Sequence, residues 1–260
     1  MAERVVVVTG STDGIGRQVA RQLAAAGMRV IVHGRSKPRV DAALEALRGE
    51  LPGAELEGVS FDLGRLSDVR RGAEQLVKLA PQVLVNNAGI FATERAVTSD
   101  GIEMTFAVNH IGPFLLTELL AGTVDRVVNV ASVAHTRGRI HFDDLTLANA
   151  WTGYAAYAQS KLANVMHAMS LAEHHPTITA YSIHPGTVST KLLRAGFGPI
   201  AGSKPEVAAA PIVRLASGAT ADDPSGAYYS DGVATQPSST ARDPAARAQL
   251  WDVSKGLAKL

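Results

Sequence analysis

Two kinds of apolar pattern alternate along the chain. In the first, apolar residues, many of them β-branched, form short and nearly continuous runs. Such runs predict strands that are buried on both faces of a parallel sheet. They lie at residues 4–9, 28–33, 55–61, 82–86, 126–130, 178–183 and 227–230.

In the second pattern, apolar residues recur every three or four positions, as on the buried face of a helix. Ile15, Val19 and Leu23 show this spacing, and Gly27 follows them as a C-terminal cap would. Comparable segments lie at residues 36–51, 67–80, 101–120, 151–173 and 204–217. The regular alternation predicts an α/β fold, a doubly wound parallel sheet of seven strands with helices on both faces.

No repeat, low-complexity block or linker divides the chain, so residues 1–260 are predicted to form a single domain. Two irregular segments, 133–150 and 186–202, each follow a strand, where open α/β sheets bind ligands. We expect these segments to form the substrate walls. Large apolar residues in and beside them predict an apolar substrate, and these are Trp151, Tyr154, Leu192, Leu193 and Phe197.

The composition narrows the class of protein. The 25 basic and 24 acidic residues are interspersed and leave a net charge of +1, which argues against a nucleic-acid partner. The absence of cysteine excludes disulfides, thiolate metal sites and a cysteine nucleophile. No histidine and carboxylate spacing indicates a metal site. The first residues show neither a membrane span nor a signal peptide, so we expect a cytoplasmic protein without a membrane partner.

The turn after the first predicted strand is rich in glycine. It reads Thr-Gly-Ser-Thr-Asp-Gly-Ile-Gly over residues 9–16 and leads into a predicted helix. Gly10 permits the tight turn, Gly14 lets a pyrophosphate approach the backbone, and Gly16 lets helix and strand pack closely. Dinucleotide binding is the favoured interpretation, and a glycine-rich turn without a ligand is the alternative.

The end of the second strand bears on the choice of cofactor. It reads His-Gly-Arg-Ser over 33–36, and no acidic residue occurs between residues 28 and 40. NAD-preferring folds place an acid here against the ribose 2′-hydroxyl, whereas an arginine accommodates the 2′-phosphate of NADP. Arg35 can pair with that phosphate through two hydrogen bonds, assisted by Ser36. We therefore expect NADP(H) in preference to NAD(H), with a solvated arginine as the alternative.

Two later strand ends complete the predicted cofactor edge. Asp62 follows the third strand and can accept a hydrogen bond from an adenine amino group, or it can cap a turn. The fourth strand ends in Asn-Asn-Ala-Gly over 86–89, where Ala88 and Gly89 are small enough for the backbone to lie against the adenine ribose. For Asn86 we prefer a structural role that ties neighbouring strands together.

Tyr157 and Lys161 lie one turn apart on the same face of the helix predicted at 151–173. A nearby ammonium favours the phenolate and can bring the phenol pKa, ordinarily about 10, toward neutrality. Such a phenol can exchange a proton with a substrate oxygen. Alternatively, the two residues are simply exposed on an amphipathic helix.

Ordered motifs make the chain resemble the short-chain dehydrogenase/reductase superfamily. They are the glycine-rich turn at 9–16, Asn-Asn-Ala-Gly at 86–89, Asn109, Ser132, Tyr-x3-Lys at 157–161 and Pro-Gly at 185–186. Longer strings at 106–117, 127–135 and 160–164 are similar to the retinol-dehydrogenase-like branch, whose members act on diverse substrates. The resemblance covers most of the chain and implies a single-domain Rossmann fold.

The resemblance implies a catalytic set of Asn109, Ser132, Tyr157 and Lys161. Tyr157 would be the general acid in carbonyl reduction and the general base in alcohol oxidation. Lys161 would lower the pKa of Tyr157 and bond the nicotinamide ribose. Ser132 would hold the substrate oxygen, or alternatively cap a turn. Asn109 would fix a water that links Lys161 to solvent, or alternatively only kink its helix.

The resemblance also implies which residues surround the cofactor. The segment that begins at Pro185 and Gly186 would meet the nicotinamide carboxamide through the backbone of Val188 and the hydroxyl of Thr190, with Thr187 as a neighbouring candidate. The full implied set is Gly10, Ser11, Thr12, Gly14, Ile15, Gly16, Arg35, Ser36, Asp62, Leu63, Asn87, Ala88, Gly89, Tyr157, Lys161, Pro185, Gly186, Thr187, Val188 and Thr190.

The chain departs from the family pattern at three places. Ala131 stands where the branch usually has a second serine before Ser132. The short path between residues 120 and 126 implies a truncated helix at the family's usual dimer face, which leaves homo-oligomer formation open. The long segment 133–150 carries charges that we interpret as those of a solvated loop in preference to a substrate-recognition element. They belong to His135, Arg137, Arg139, His141, Asp143 and Asp144.

Together these residues predict an NADPH-dependent carbonyl reductase or alcohol dehydrogenase that acts on a small apolar ketone, aldehyde or alcohol. The hydride would belong to the nicotinamide, and the protein would position the substrate carbon against it. A catalytically silent NADP-binding regulatory protein is the main alternative. A Rossmann methyltransferase is a third class, but it has no use for the pair Tyr157 and Lys161.

Overall fold

Strands and helices alternate through most of the computed structural model, which describes residues 4–198, 200–218 and 223–260. The strands are β1 (Val5–Val8), β2 (Arg29–Gly34), β3 (Leu56–Ser60), β4 (Val83–Asn86), β5 (Arg126–Val130), β6 (Thr179–His184), β7 (Tyr228–Ser230) and β8 (Val233–Thr235). The helices are α1 (Gly14–Ala25), α2 (Lys37–Glu50), α3 (Leu66–Leu79), α4 (Met104–Phe106), α5 (Gly112–Leu120), α6 (Gly153–His174), α7 (Lys191–Phe197), α8 (Pro205–Ser217), α9 (Ser239–Arg242) and α10 (Pro244–Ala258).

The strands form one sheet in the order β3-β2-β1-β4-β5-β6-β7-β8, in which β8 alone is antiparallel to its neighbour. The prediction of a doubly wound α/β fold is confirmed, but the count of seven strands is wrong, because the described residues contain eight. The residues of β8 are all exposed and therefore produce no apolar run. The missed signal was Asp231-Gly232, since both residues adopt positive φ and join β7 to β8 as a two-residue hairpin turn.

Alternating strand residues face two separate cores. On one face, Val7, Leu84 and Val127 pack in the core that includes residues of α3, α5, α6 and α10. On the other face, Val6 and Val85 pack in the core that includes residues of α1, α2 and α8. Because both faces are covered, the inner strands are apolar at most positions, which is why the sequence pattern located them well.

The helix predicted at 101–120 is divided. A π-helical turn over Ala107–Ile111 lies between α4 and α5, and it carries Asn109. The Glu103 carboxylate begins this helix by accepting a hydrogen bond from Phe106 N at 2.7 Å. Helix α5 ends at Leu120 and β5 begins at Arg126, in agreement with the short connection read from the sequence.

The two segments predicted to be irregular contain short helices. A 3-10 helix occupies Val133–Arg137, and α7 lies within 186–202. Helices α9 and α10 had no counterpart among the predicted elements, and α10 packs on α5 and α6 through Trp251. Among the described residues, no helix combines the length and the apolarity needed to cross a membrane.

Candidate active site

A cleft of about 1170 Å³ opens at the carboxyl ends of the central strands and gathers most of the predicted site residues. Ser132, Tyr157 and Lys161 line it together with the glycine-rich turn and the segment 185–190. Three predicted residues do not line it, namely Ser11, Ser36 and Asn109. The remaining predicted cofactor residues all do, and these are Gly10, Thr12, Gly14, Ile15, Gly16, Arg35, Asp62, Leu63, Asn87, Ala88, Gly89, Pro185, Gly186, Thr187, Val188 and Thr190.

The glycine-rich turn forms a cradle that side chains would fill. Gly10 has a φ of 64°, and a Cβ there would lie 2.8 Å from the Ala88 Cα. A Cβ on Gly16 would lie 2.4 Å from the Gly10 carbonyl oxygen. The turn therefore needs glycine at both positions, and its backbone stays accessible to an anion at the start of α1. These residues fit the pyrophosphate of a dinucleotide.

The His33 side chain contacts the backbone of this turn and supports it, a role that was not predicted from the sequence. Its Nδ1 accepts a hydrogen bond from Gly10 N at 3.1 Å, so its Nε2 must donate to Phe61 O, also at 3.1 Å. The ring is buried and packs on Phe61, with centroids 4.2 Å apart. Burial lowers the pKa of His33 to about 4, which keeps the ring neutral and able to accept from the turn. Ser11 is buried beside it and donates to Val8 O at 2.7 Å.

Basic side chains lie where the adenosine end of a dinucleotide is expected. Arg35 and Arg39 line the cleft and are exposed, and neither forms an ion pair with another described residue. Arg17 also lines the cleft but pairs with Glu50. Arg39 was not among the predicted cofactor residues, although it lies within the acid-free stretch at residues 28–40. Ser36 is the N-cap of α2 without a side-chain hydrogen bond to the helix.

The polar residues at the ends of β3 and β4 mostly form hydrogen bonds that stabilise the backbone. Asp62 lines the cleft, and its Oδ1 accepts a hydrogen bond from Gly64 N at 2.9 Å. This contact is the one expected if Asp62 caps a turn. Asn87 Nδ2 donates to Thr9 O at 2.7 Å and so fastens β4 to the glycine-rich turn. Asn86 Nδ2 donates to Asn129 Oδ1 at 3.0 Å, across the β4–β5 pair. The structural role preferred for Asn86 agrees with this contact.

Ser132 and Tyr157 meet at the floor of the cleft. Ser132 follows β5, and Tyr157 lies in the first turns of α6. Both side chains line the cleft, and Ser132 lies near enough to Tyr157 to oppose the rise in the pKa of the phenol. The Ser132 Oγ also accepts from Ala134 N at 3.2 Å, so the turn-capping alternative for Ser132 holds in addition to its place beside Tyr157. Tyr157 is 6% exposed, and Phe91 packs on its ring with centroids 5.4 Å apart.

Lys161 is buried one helical turn farther along α6. Its Nζ donates to Val130 O at 2.8 Å and lies 5.6 Å from the centroid of the Tyr157 ring. Burial lowers the pKa of Lys161 to about 8 and raises the pKa of Tyr157 to about 12. Desolvation of the phenolate is the largest cause of the raised pKa of Tyr157, and the lowering of this pKa by Lys161 stays a prediction.

Asn109 lies behind the cleft and connects two parts of the site. Its Nδ2 donates to Ile90 O and to Ser160 Oγ, both at 3.0 Å, and its Oδ1 accepts from Ile90 N at 2.8 Å. Both amide hydrogens are thus used within the protein. A Cβ on Gly89 would be 3.5 Å from both Asn109 Oδ1 and Lys161 Nζ, so these two atoms face the same point. The water-fixing role of Asn109 stays a prediction.

Several of the apolar side chains predicted to form the substrate walls line the cleft. Tyr154, Leu192 and Leu193 line it, and Val133 and Ile200 add exposed apolar surface. Trp151 does not line it, because its indole Nε1 instead donates to the Glu103 carboxylate at 3.1 Å, below the start of α6. The predicted Phe197 side chain lies outside the described part of the structure. Within that part, no group of three or more histidine or carboxylate side chains is arranged to hold a metal ion.

Comparison with known proteins assigns most of the chain to one enzyme family. The family model described as short chain dehydrogenase matches residues 4–197. Human retinol dehydrogenase 13 is 34% identical over 99% of this chain and 85% of its own length. Mouse polyprenol dehydrogenase is 37% identical over 95% of this chain and 82% of its own length.

Solved structures agree in fold. An uncharacterised protein from Mycobacterium paratuberculosis superimposes with a TM-score of 0.83 at 33% identity, over 99% of this chain and 94% of that one. A blue fluorescent protein from a metagenomic library, solved in complex with NADPH, gives a TM-score of 0.70 at 27% identity, over 87% of this chain and 95% of that one. With the cleft, its glycine-rich turn and the Ser132 and Tyr157 pair in place, we conclude that the chain belongs to the short-chain dehydrogenase/reductase family and is similar to its retinol dehydrogenases.

Proposed function

We propose that the protein is an NADP(H)-dependent oxidoreductase that interconverts an apolar alcohol and its ketone or aldehyde. The observation that carries the proposal is the placement of the Ser132 and Tyr157 side chains together in a cleft whose other end is the glycine-rich turn. A carbonyl oxygen bound between these two side chains would meet two hydroxyl donors at once, as polarisation of the carbonyl requires.

Each side chain has a task in this proposal. Tyr157 delivers the proton to the carbonyl oxygen, and a pKa of about 12 keeps its phenol protonated through neutral pH. Ser132 holds the same oxygen through its hydroxyl. Lys161 keeps a positive charge beneath them below its pKa of about 8, and this charge stabilises negative charge that develops on the oxygen. A bound nicotinamide supplies the hydride in reduction and accepts it in oxidation.

The preference for NADP(H) is supported by Arg35 and Arg39. Both are cationic groups on the cleft wall after β2, and no acidic residue between positions 28 and 40 competes with a 2′-phosphate. The related blue fluorescent protein was solved with NADPH, which agrees with this preference.

An apolar substrate is supported by Tyr154, Leu192 and Leu193 on the cleft wall. The names of two relatives, a retinol dehydrogenase and a polyprenol dehydrogenase, refer to apolar alcohols. The cytoplasmic location, the lack of a membrane partner, the single domain and the oligomeric state stay predictions.

A Tyr157→Phe variant tests the chemistry. We expect it to bind NADPH with an unchanged dissociation constant and to lose about 10³-fold in kcat for any ketone that the wild type reduces. A screen of ketones, aldehydes and quinones that follows NADPH oxidation supplies the substrate. Tyr181→Phe is the matched control, since that phenol donates to Asp223 O and does not line the cleft. Unchanged turnover in Tyr157→Phe would remove Tyr157 from the mechanism, and NADPH binding without turnover of any compound would favour the regulatory alternative.

Arg35→Ala and Arg39→Ala test the cofactor preference. Each should raise the KM for NADPH by about tenfold, the cost of losing one charge-assisted pair, and leave the KM for NADH unchanged. Lys37→Ala is the control, because Lys37 lies between the two arginines but pairs with Asp41 and does not line the cleft. A wild type that prefers NADH tenfold would contradict the proposal.

A further inference from the structure

His135 lies three residues after Ser132, in the 3-10 helix Val133–Arg137, and it is 1% exposed. The expectation that it belongs to a solvated loop is therefore wrong. A buried imidazole requires partners for both ring nitrogens, and the structure supplies them on two different elements.

The two hydrogen bonds determine the tautomer of this imidazole. The Ser238 backbone N–H can only donate, so His135 Nε2 accepts from it at 3.2 Å. His135 Nδ1 must then carry the hydrogen, and it donates to Ser132 O at 2.8 Å. The ring also packs on Tyr228 of β7, with centroids 4.8 Å apart. His135 thus joins the residue after β5 to the start of α9 at the far edge of the sheet.

The contact at Ser132 leads directly to the reacting groups. The Ser132 carbonyl accepts from the His135 backbone N–H at 3.1 Å as well as from the ring, which closes the first turn of the 3-10 helix. That turn aims Ala134 N at the Ser132 Oγ, and the Ser132 side chain lines the cleft together with Tyr157. Any shift of the turn would change the direction of the Ser132 hydroxyl.

We propose that His135 is a positioning residue that uses the C-terminal segment at Ser238 as an anchor and holds the Ser132 hydroxyl in its catalytic orientation. The proposal rests on the function proposed for Ser132 above. It assigns to the segment before α9 a part in catalysis, although no residue of that segment touches the cleft.

The contact with Ser238 requires a neutral imidazole. Protonation would place a hydrogen on Nε2 opposite the Ser238 N–H, and two donors would then face each other. The titratable groups around the ring are Tyr228 and the buried His184 of β6, with Asp231 beside His184. Burial lowers the pKa of His135, so the contact persists at neutral pH and is lost only in acid.

Two substitutions separate the two hydrogen bonds. In His135→Asn the side-chain amide nitrogen can take the place of Nδ1 and donate to Ser132 O, but nothing reaches Ser238. In His135→Gln the amide oxygen can take the place of Nε2 and accept from Ser238 N, while Ser132 loses its donor. We expect kcat at neutral pH to fall less than about 3-fold in His135→Asn and about 10- to 100-fold in His135→Gln, with the KM for NADPH unchanged in both.

The acid limb of the pH profile provides a second readout that a merely structural role would not move. In the wild type, kcat should fall in acid, below the ordinary histidine pKa of 6.5, as His135 takes up a proton, and in His135→Asn this limb should move to lower pH or disappear. His174→Asn is the control, because His174 is exposed and stacks on Trp251 away from the cleft.

Ser238 offers an independent test from the other end of the contact. Its φ of −54° already suits proline, so Ser238→Pro removes the backbone donor with little strain, together with the hydroxyl that accepts from Ala241 N. Ser238→Ala removes only the hydroxyl. We expect Ser238→Pro to move the acid limb and to lower kcat about 3- to 10-fold relative to Ser238→Ala.

The outcomes are distinguishable. Equal kcat and an unchanged acid limb in the wild type, His135→Asn and His135→Gln, with Ser132→Ala inactive, would overturn the role of His135 and leave the proposed function intact. An active Ser132→Ala protein would instead overturn the role of Ser132 on which the inference rests. Variants of His135 that lose thermal stability but keep kcat would show that the residue is only structural.

Discussion

At the scale of the residue, the site depends on a buried charge. Lys161 is 3% exposed, and a single hydrogen bond to Val130 O accompanies its ammonium group in the described structure. The fall of its pKa from 10.5 to about 8 corresponds to about 3 kcal/mol of preference for the neutral form in the folded protein. The protein thus keeps a charge where folding alone would favour an apolar side chain, as active sites often do.

Replacement of Lys161 by Met tests the free-energy cost of burying this charge, through the pH dependence of stability. The folded-state pKa lies below the unfolded one, so between pH 8 and 10.5 the unfolded chain holds a proton that the folded protein has released. The wild type should therefore gain stability relative to Lys161→Met as the pH rises, by about 2 kcal/mol between about pH 7 and about pH 9.5.

Urea unfolding of both proteins at the two pH values measures this difference. The raised pKa of Tyr157 changes the stability only above pH 10, the ordinary pKa of the phenol, and so does not affect this comparison. A gap between the two proteins that stays constant with pH would mean that Lys161 is not desolvated. In parallel, kcat for reduction by the wild type should fall as the pH rises through about 8, because Lys161 then loses its charge.

At the scale of the element, α7 lies close to the glycine-rich turn. Lys191 begins α7, and its Nζ contacts the Asp13 carboxylate at the N-cap of α1, 2.6 Å away. A Cβ on Gly14 would lie 3.8 Å from the Thr190 Cγ2. Because both residues of this pair line the cleft, the ion pair joins the glycine-rich turn to α7 across it.

The ion pair of Asp13 and Lys191 should slow the release of the cofactor only slightly. The side chains are 57% and 77% exposed, so the coupling between them should be below about 1 kcal/mol, or about 5-fold in the NADPH dissociation rate. A double-mutant cycle of Asp13→Asn, Lys191→Gln and the double variant measures this coupling by stopped flow. Asn at position 13 keeps the side-chain oxygen that accepts from Gly14 N.

Lys37→Gln is the matched control for this cycle. Its partner pair, Lys37 and Asp41, is similarly exposed at 77% and 54%, but it does not line the cleft. The coupling should disappear in about 1 M salt, where the Debye length is about 3 Å. A coupling that persists in high salt, or an equally large effect of Lys37→Gln on the NADPH dissociation rate, would contradict a role of the Asp13 and Lys191 pair in cofactor release.

At the scale of the whole molecule, α10 completes one of the two cores. Trp251 is 7% exposed, stacks on His174 with centroids 4.1 Å apart and meets Phe114 edge-on at 5.1 Å. Arg70 of α3 donates to Ala258 O and Lys259 O and so satisfies the carbonyl end of the helix. The C-terminal segment is therefore packed on the same face of the sheet as α5 and α6.

Trp251→Ala should lower the free energy of unfolding by about 3–5 kcal/mol, because a large side chain leaves a cavity between three helices. Denaturant unfolding measures the loss. Trp251→Phe, which keeps the ring contact with Phe114, should lose less. NADPH binding by the folded fraction should be unchanged, since Trp251 does not line the cleft. A loss below about 1 kcal/mol in Trp251→Ala would show that α10 contributes little to the core.

Most of the fold could be predicted from the sequence, because the strands of a parallel sheet covered on both faces are runs of mainly apolar residues. Strand β5 matches its predicted bounds at Arg126–Val130, and the other inner strands differ by one or two residues. Two of the failures have local causes. Strand β8 is exposed along its whole length, and helices such as α7, with seven residues, are too short to show a periodic pattern.

The candidate site was predictable where it depends on backbone conformation or on helical spacing. The glycines of the turn and the pair Tyr157 and Lys161 are of this kind. His33, His135 and Arg39 were not assigned, because the roles proposed for them depend on contacts with residues that are distant in sequence or on their position on the cleft wall. No spacing rule connects His135 with Ser238.

By itself the sequence determined the order of strands and helices, the glycine-rich cradle and the identity of the groups that can exchange a proton, because these depend on local pattern and on residue chemistry. The tertiary structure alone decided which of these groups are desolvated. Burial is a property of the whole packing, and it sets the pKa of Tyr157 and of Lys161 in directions that proximity of the two residues along a helix does not predict.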